Sequence, residues 1–483
     1  MTRTATVVLT LLFLLAALLS ATTWAARRTH NAQDFLVVSR RLGIWLAALS
    51  YAGNLASPWL LILIAAAAFE WGLGAIWLGA ALVLGCILNV WFIAPRLHVV
   101  AAGQGQVTVL QVLCADAGDR MLPLVVRSAI LVTLAMLLVQ VAATLELTTR
   151  FLDQFGLDSS SLPVLFVAAI AVVVFGGGLR AASLLEAVQT GVLLLIAAFL
   201  LIAALIASGG PADLRAAFAS LGPGPTDWFA GKDGVAAVAF AAGSLGLGLA
   251  TCGQPQALVR FMAMKDEATS RAVRWIAPIW TAALIATVIM CAWCARVLYS
   301  GLEHAQDSLP EIANRLLPPN LSAFIVTALA AIVASSLASQ LFVLATTVAV
   351  DARRPDRMPT FTWFRAALVA VAVLACIVAL AVPSGGLEHA FFAFTALGAS
   401  LGPLLLVRLS GKRTRPGSTL GAMWSGFVLA LLFHLLPDSP GDFLERVLPF
   451  IAALGIALTG GERRRNPDRA DRSQETVHDR VPI

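Results

Sequence analysis

Four groups of polar residues interrupt an otherwise apolar sequence, and their types suit cation and solute binding better than bond-breaking chemistry. The stretch SYAGNLASPWLL at 50–61 sets Asn54, Ser57 and Pro58 inside a hydrophobic run. Gln140 and Glu146 form the second group. The third is GSLGLGLATCGQPQ at 243–256, a glycine-interrupted segment ending in Gly-Gln-Pro. In ASSLASQ at 334–340, Ser335, Ser336 and Ser339 lie along one helical sector, followed by Gln340, Thr346 and Thr347. Polar groups in hydrocarbon are costly unless they face protein or water, so they mark function by default. Proline lacks the N–H that a helix needs, and a broken helix frees backbone carbonyls. Carbonyl and hydroxyl oxygens together are the ligands of a hard cation such as Na⁺. The sequence offers no nucleophile–base–orienter set and no metal cluster, so neither an enzyme nor a resident cofactor is expected.

The elements that must position these groups are membrane helices. Across 483 residues, 59% are apolar and 12% charged, with mean hydropathy +0.87. A soluble domain carries about 25% charged residues, so the bilayer is the expected solvent. Thirteen apolar runs of spanning length lie roughly at 4–24, 43–68, 71–94, 122–148, 160–178, 184–207, 234–254, 273–298, 321–349, 363–382, 387–408, 417–436 and 444–460. Gly209–Gly210–Pro211, Pro223 and Pro225, Pro318–Pro319, Pro383 and Pro437 to Pro440 punctuate the connections. The chain reads as one membrane domain over 1–460 and a charged, disordered cytoplasmic tail over 461–483. The first run, Ala5 to Trp24, could pass for a signal peptide, but it is long enough to span and reads as an uncleaved helix.

Charge sets the orientation. With the N-terminus outside, the inner loops and tail hold 25 of the 33 Lys and Arg, Arg260 among them, and the outer loops hold seven. This alternation predicts an odd number of spans with the C-terminus inside. It also accounts for the net charge of +6 without nucleic acid. The six cysteines fall mostly in apolar runs, as free core residues do. CAWC at 291–294 has redox spacing but lies in a continuous hydrophobic segment.

Each polar group also has a plain structural reading. Small hydroxyl residues at helical spacing let membrane helices approach closely. Glu146 lies a turn from Arg150, at an expected outer interface, and MAMKDEATSRAVRW (262–275) reads as a solvated cytoplasmic connection. The arrangement argues for more. Interrupted helices begin near 43 and 234, half a chain apart and with opposite expected orientations. Inverted repeats with broken helices point to the midplane site of a secondary transporter.

Several stretches together resemble the sodium:solute symporter family, most of all its sodium/proline branch. They are DFLVVSRRLGIWLAALS (34–50) followed by Trp59-Leu60-Leu61, FGGGLRAASLLEAVQ (175–189), GLGLATCGQPQALVRFMA (246–263) and LPPNLSAFIVTALAAIVASSLASQL (317–341). The resemblance runs from about residue 30 to 430. It implies an all-α, LeuT-type 5+5 inverted repeat, with core repeats at about 43–207 and 234–408, in the inner cell membrane. It further implies a Na⁺ site made by the carbonyls of Gly53, Ala56 and Ile332 and the hydroxyls of Ser335 and Ser336. By the same resemblance Ser57, Trp59, Gln140, Leu247 and Thr251 would line a solute cavity, with Asn54, Leu55 and Gln254 beside it. Leu55 falls where the proline branch has an aspartate, and Gln140, Leu247 and Thr251 fall where it has aromatic residues. The implied pocket is therefore less aromatic. The expected function is Na⁺-coupled uptake of a small organic solute, an amino acid or related metabolite, by alternating access. Two alternatives stand beside it. One is proton-coupled or facilitative transport, with Glu146 or Glu186 titrating, and the other a symporter-like sensor with a separate signalling partner.

Overall fold

The computed structural model describes residues 3–116, 118–153, 162–353, 360–381, 386–437 and 439–463. The expected tail from 464 onward lies outside the described residues, as do Pro383, Arg354 and Arg357. Among the described residues, ten helical runs are long and apolar enough to cross a membrane. Two of them, Trp59–Gly103 and Val164–Ala207, have 45 and 44 residues. At about 1.5 Å per residue each is roughly twice the ~30 Å hydrocarbon thickness, and each is interrupted.

Helix α1 (Arg3–Ala26) leads into a short α2 (Ala32–Val37), capped by Asn31, whose side chain accepts from the Asp34 N–H at 2.8 Å. Helices α3 (Ile44–Leu55) and α4 (Pro58–Trp71) are two halves of one broken rod. The chain turns at Gly72–Ala75 and runs back through α5 (Ile76–Leu88), a π-turn at Asn89–Ile93 and α6 (Ala94–Gly103). A short α7 (Val109–Cys114) opens with a capping box of Thr108 and Gln111 and precedes α8 (Gly118–Asp153). Helix α9 (Leu162–Ala207) merges two expected spans, but Gly178 sits inside it at φ 54°, ψ −141°, outside helical space. A side chain there would meet the carbonyl and ring of Phe35, so the turn needs glycine twice over.

The second half begins after two short helices, α10 (Pro211–Ser220) and α11 (Pro223–Thr226). A second broken rod follows, α12 (Gly234–Ala250) and α13 (Pro255–Ala263). Helix α14 (Glu267–Leu298) starts six residues before the apolar run does, because Asp266 caps it. The Asp266 carboxylate accepts from the Thr269 N–H and hydroxyl, both at 2.8 Å, and these bonds hold it below its ordinary value. The expected loop 262–275 is thus mostly helix. A bridge pins its remainder: Leu42 donates to Ala263 O at 3.0 Å and accepts from Lys265 at 3.1 Å. Arg40 strengthens this closure, donating to the carbonyls of Met262, Ala101 and Gln106, each at 3.0 Å.

An amphipathic α15 (Ser308–Leu316) precedes α16 (Pro319–Ser335) and α17 (Leu337–Thr346), which are joined at Ser336 and extended by a π-turn to Asp351. Then come α18 (Phe361–Ala381), α19 (Gly386–Leu409) and α20 (Pro416–His434). The last expected span resolves into α21 (Phe443–Arg446) and a 12-residue α22 (Leu448–Thr459). Residues 461–463, expected in the tail, form β2 (Gly461–Arg463), antiparallel to β1 (Lys412–Thr414). Burial is greatest in Pro319–Asp351 and Glu388–Leu409. Peripheral helices such as α1 and α18 leave leucines, valines and phenylalanines exposed, as lipid-facing helices do.

Candidate functional site

The first rod breaks because its sequence cannot continue it. The Ala56 N–H closes the last turn of α3 on Ala52 O at 2.9 Å, and Ala56 then leaves helical space at ψ 53°. Pro58, which has no N–H, takes the first position of α4, where its fixed φ is an advantage. The new helix starts from the Ser57 carbonyl, which accepts from Leu60 at 2.8 Å and Leu61 at 3.0 Å. The carbonyls from Gly53 to Ala56 thus lie between two hydrogen-bond ladders. Gly53 lets α3 approach α9 closely, since a Cβ there would strike Thr190 Oγ1.

The second rod breaks at Thr251–Gln254, with Gln254 at φ −95°, ψ 95°. Here the ends are sealed. Gln254 Nε2 donates to Ala250 O at 3.0 Å and to Phe394 O at 2.8 Å. Thr251 donates to Gly248 O at 2.7 Å, and Asn89 Nδ2 reaches Thr251 O at 3.2 Å and Oγ1 at 3.1 Å. Thr251 therefore faces α5, and the fully buried Leu247 joins an apolar cluster.

A third interruption lies between α16 and α17. Ser335 Oγ donates to Ile332 O at 2.6 Å, and Ser336 Oγ to Val333 O at 2.8 Å. Bonds of this kind back onto the preceding turn bend a helix. They also hold a hydroxyl oxygen and the Ile332 carbonyl oxygen within one cation's reach of each other.

Across these breaks runs a buried ion pair. Glu186 on α9 pairs with Arg260 on α13, whose side chain is fully buried. Glu186 also accepts from Asn54 Nδ2 at 2.8 Å, while Arg260 donates to Ser339 Oγ and Gln256 O. Asn54, Glu186, Arg260 and Ser339 thus connect the broken end of α3 to α17. A second polar chain adjoins it: Gln256 Nε2 donates to Gln254 Oε1 at 2.9 Å and to Gln140 Oε1 at 3.4 Å. Gln140 Nε2 and Gln256 Oε1 have no partner among the described residues. Trp59 packs edge-on against Phe394, with centroids 5.7 Å apart.

The expected residues thus divide. Gly53, Asn54, Leu55, Ala56, Ser57 and Trp59 lie at the first break, Ile332, Ser335 and Ser336 at the third, and Gln140 reaches the Gln256 amide. Thr251, Leu247 and Gln254 belong to the sealed second break. Arg260, counted among the inner-loop charges, is instead buried in the protein and bonded to Glu186. The signal was present in PQALVRFMA, where Gln256 and Arg260 are the polar pair at i, i+4 of an otherwise apolar helix. Asn89 gave less warning, standing alone in an apolar run. Among the described residues no group of three or more His, Cys, Asp or Glu could hold a metal ion. The cysteines of CAWC lie in the buried part of α14, with Cys291 donating to Ala197 O at 3.3 Å.

Residues 35–428 match the sequence pattern of the sodium:solute symporter family. The osmoregulated proline transporter OpuE of Bacillus subtilis is 25% identical over 462 residues, covering 92% of either chain. The high-affinity proline transporter PutP of the same organism is 27% identical over 444 residues, 89% of this chain and 92% of that one. The sodium/proline symporter of Escherichia coli is 24% identical over 437 residues, 86% of each. Among solved structures, a substrate-bound, outward-open Na⁺-coupled sialic acid symporter superposes with TM-score 0.79 at 16% identity, covering 95% of this chain and 99% of that one. The nucleobase-cation-symport-1 family transporter Mhp1, in a closed conformation, gives TM-score 0.57 at 16% identity, covering 88% and 92%. Both likenesses are likenesses of fold.

Proposed function

The chain belongs to the sodium:solute symporter family, and from that premise we propose that it carries a small organic solute into the cell with Na⁺. The solute is an amino acid or related metabolite, in keeping with the proline transporters among its relatives. The path crosses a cell membrane thirteen times with the N-terminus outside. The two long interrupted runs support twelve crossings when each is read as two, α21 and α22 together offer the thirteenth, and the inner-loop excess of Lys and Arg supports the orientation. The repeats are the inverted halves at about 43–207 and 234–408, supported by one broken rod in each.

The single observation that carries this reading is the buried chain Asn54–Glu186–Arg260–Ser339. It ties the open end of α3 to the helix that follows the Ser335–Ser336 pair. In the proposed site, Gly53, Ala56 and Ile332 offer carbonyl oxygens and Ser335 and Ser336 offer hydroxyls. Such neutral oxygens suit a hard monovalent cation. Ser57, Trp59 and Gln140 face the solute on the other side of the break, and the free Gln140 amide N–H suits a carboxylate. Driving force comes from the ion: about 2.3 kcal/mol for each charge moved through 100 mV.

The test is ²²Na⁺ uptake into proteoliposomes, screened with amino acids, sugars and short carboxylates. Solute-stimulated ²²Na⁺ entry is the expected result. Uptake driven by a proton gradient and indifferent to Na⁺ would replace this reading with proton coupling.

A further inference from the structure

Below the helix breaks runs a polar row that starts at Ser336 of the proposed cation site and continues through residues that neither the cation site nor the solute site uses. From the cap of α17 to its extension, Ser336, Gln340, Thr347 and Asp351 follow at intervals of four to seven residues and share one helical face. All four are buried. Their span of 15 residues covers about 22 Å along the axis. At its far end is a small pocket lined by Val107, Thr108, Pro255, Val259, Thr347 and Asp351, among others. Its walls thus come from three elements: the start of α7, the start of α13 just past the second break, and the end of α17.

Asp351 is 7% exposed. Its Oδ1 accepts the Thr108 hydroxyl proton at 2.5 Å. That hydroxyl oxygen in turn accepts the Gln111 N–H at 3.1 Å, so its donor direction is fixed on Asp351. Asp351 Oδ2 and Thr347 Oγ1 have no hydrogen-bond partner among the described residues, nor does Gln340 Oε1 one step up the face. A buried polar atom without a partner costs about 1–3 kcal/mol, and here three oxygens share that condition along one line. The three unpartnered atoms are all oxygens, one of them from a carboxylate, so a single positive charge balances them. A divalent ion would leave uncompensated charge in a buried site, whereas Na⁺ matches both the ligand type and the charge.

We propose that Asp351, Thr347 and Thr108 form a second cation site, a station where Na⁺ leaving the Ser335–Ser336 site is held before release to the cytoplasm. It rests on the reading of α3 and α16 as the primary Na⁺ site and of the 351 end as cytoplasmic. The carboxylate offsets the desolvation cost of moving the ion down the Gln340–Thr347 face. The Thr108 bond keeps the carboxylate aimed across the cavity rather than out to solvent.

The experiment is ²²Na⁺ binding by scintillation proximity to the purified full chain, with monodispersity checked by gel filtration. Wild type is expected to bind two ions per chain, and Asp351→Asn and Ser336→Ala one each. Thr347→Val, which spares the charge and guards against a misfolded Asp351 variant, should weaken one site about tenfold, or 1.4 kcal/mol. Two ions bound with wild-type affinity by both Asp351→Asn and Thr347→Val would overturn the proposal. So would a wild type that binds one ion, lost in Ser336→Ala. If Asp351→Asn removes one ion while Ser336→Ala removes none, the release site stands and the primary-site reading falls.

Discussion

The two broken rods look alike in sequence and differ in what the break leaves open. At Thr251–Pro255 the polar side chains turn inward on the backbone: Gln254 covers the carbonyls of Ala250 and Phe394, and Thr251 bonds Gly248 and Asn89. At Asn54–Pro58 the polar side chain turns away, to Glu186 on another helix, and the carbonyls of Gly53 to Ala56 lie outside either ladder. A helix interruption is therefore not a binding site by itself. In the proposed reading it becomes one where the broken backbone is left without internal partners. Arg260 joins the two regions, because it stands on α13 yet pairs with the carboxylate that holds Asn54.

The largest effect should come from cutting that link. Arg260→Met strands Glu186 as an unpaired buried charge, at a cost of about 3–5 kcal/mol. It should lower the midpoint of thermal unfolding in detergent, and adding Glu186→Gln should restore most of the loss. A double variant no more stable than the single one would mean that the two breaks are not coupled through this pair. Ser336→Ala comes next. It should reduce apparent Na⁺ affinity at least about tenfold, equal to 1.4 kcal/mol, while the unfolding midpoint hardly moves. Unchanged sodium dependence of transport would remove the third break from the cation site.

Gln254→Ala should act on stability and leave Na⁺ affinity nearly unchanged. Two buried carbonyls lose a donor, which destabilises the protein by about 1–3 kcal/mol, while Na⁺ affinity stays within about twofold, far short of the tenfold step of 1.4 kcal/mol. A large loss of Na⁺ affinity in this variant would erase the distinction drawn between the breaks.

Much of this was legible in the chain. Run lengths of apolar residues gave the helices, since a bilayer admits few other backbones. Pro58 and the Gly-Gln-Pro at 253–255 mark two of the interruptions, whereas the break at Ser336 falls inside a run that reads as one continuous span, 321–349. Boundaries were less legible where a polar residue caps a helix outside its apolar run, as Asp266 does for α14. Arg260 reads as a loop cation because it stands six residues past the expected end of a span at 254, and its burial depends on a partner 74 positions away. Asp351 is obscured in the sequence for a similar reason. It closes an apolar run next to Arg353 and Arg354, and only the fold sets it against Thr108, 243 positions earlier.

The sequence by itself determined the solvent, the helices, the family and the places where helices break, because hydropathy, proline and glycine act locally. Tertiary structure decided which break stays open, which hydroxyl meets which carboxylate, and which charge is buried. Those outcomes depend on hydrogen bonds between residues far apart in the chain, and a buried polar group takes the partner that packing brings to it.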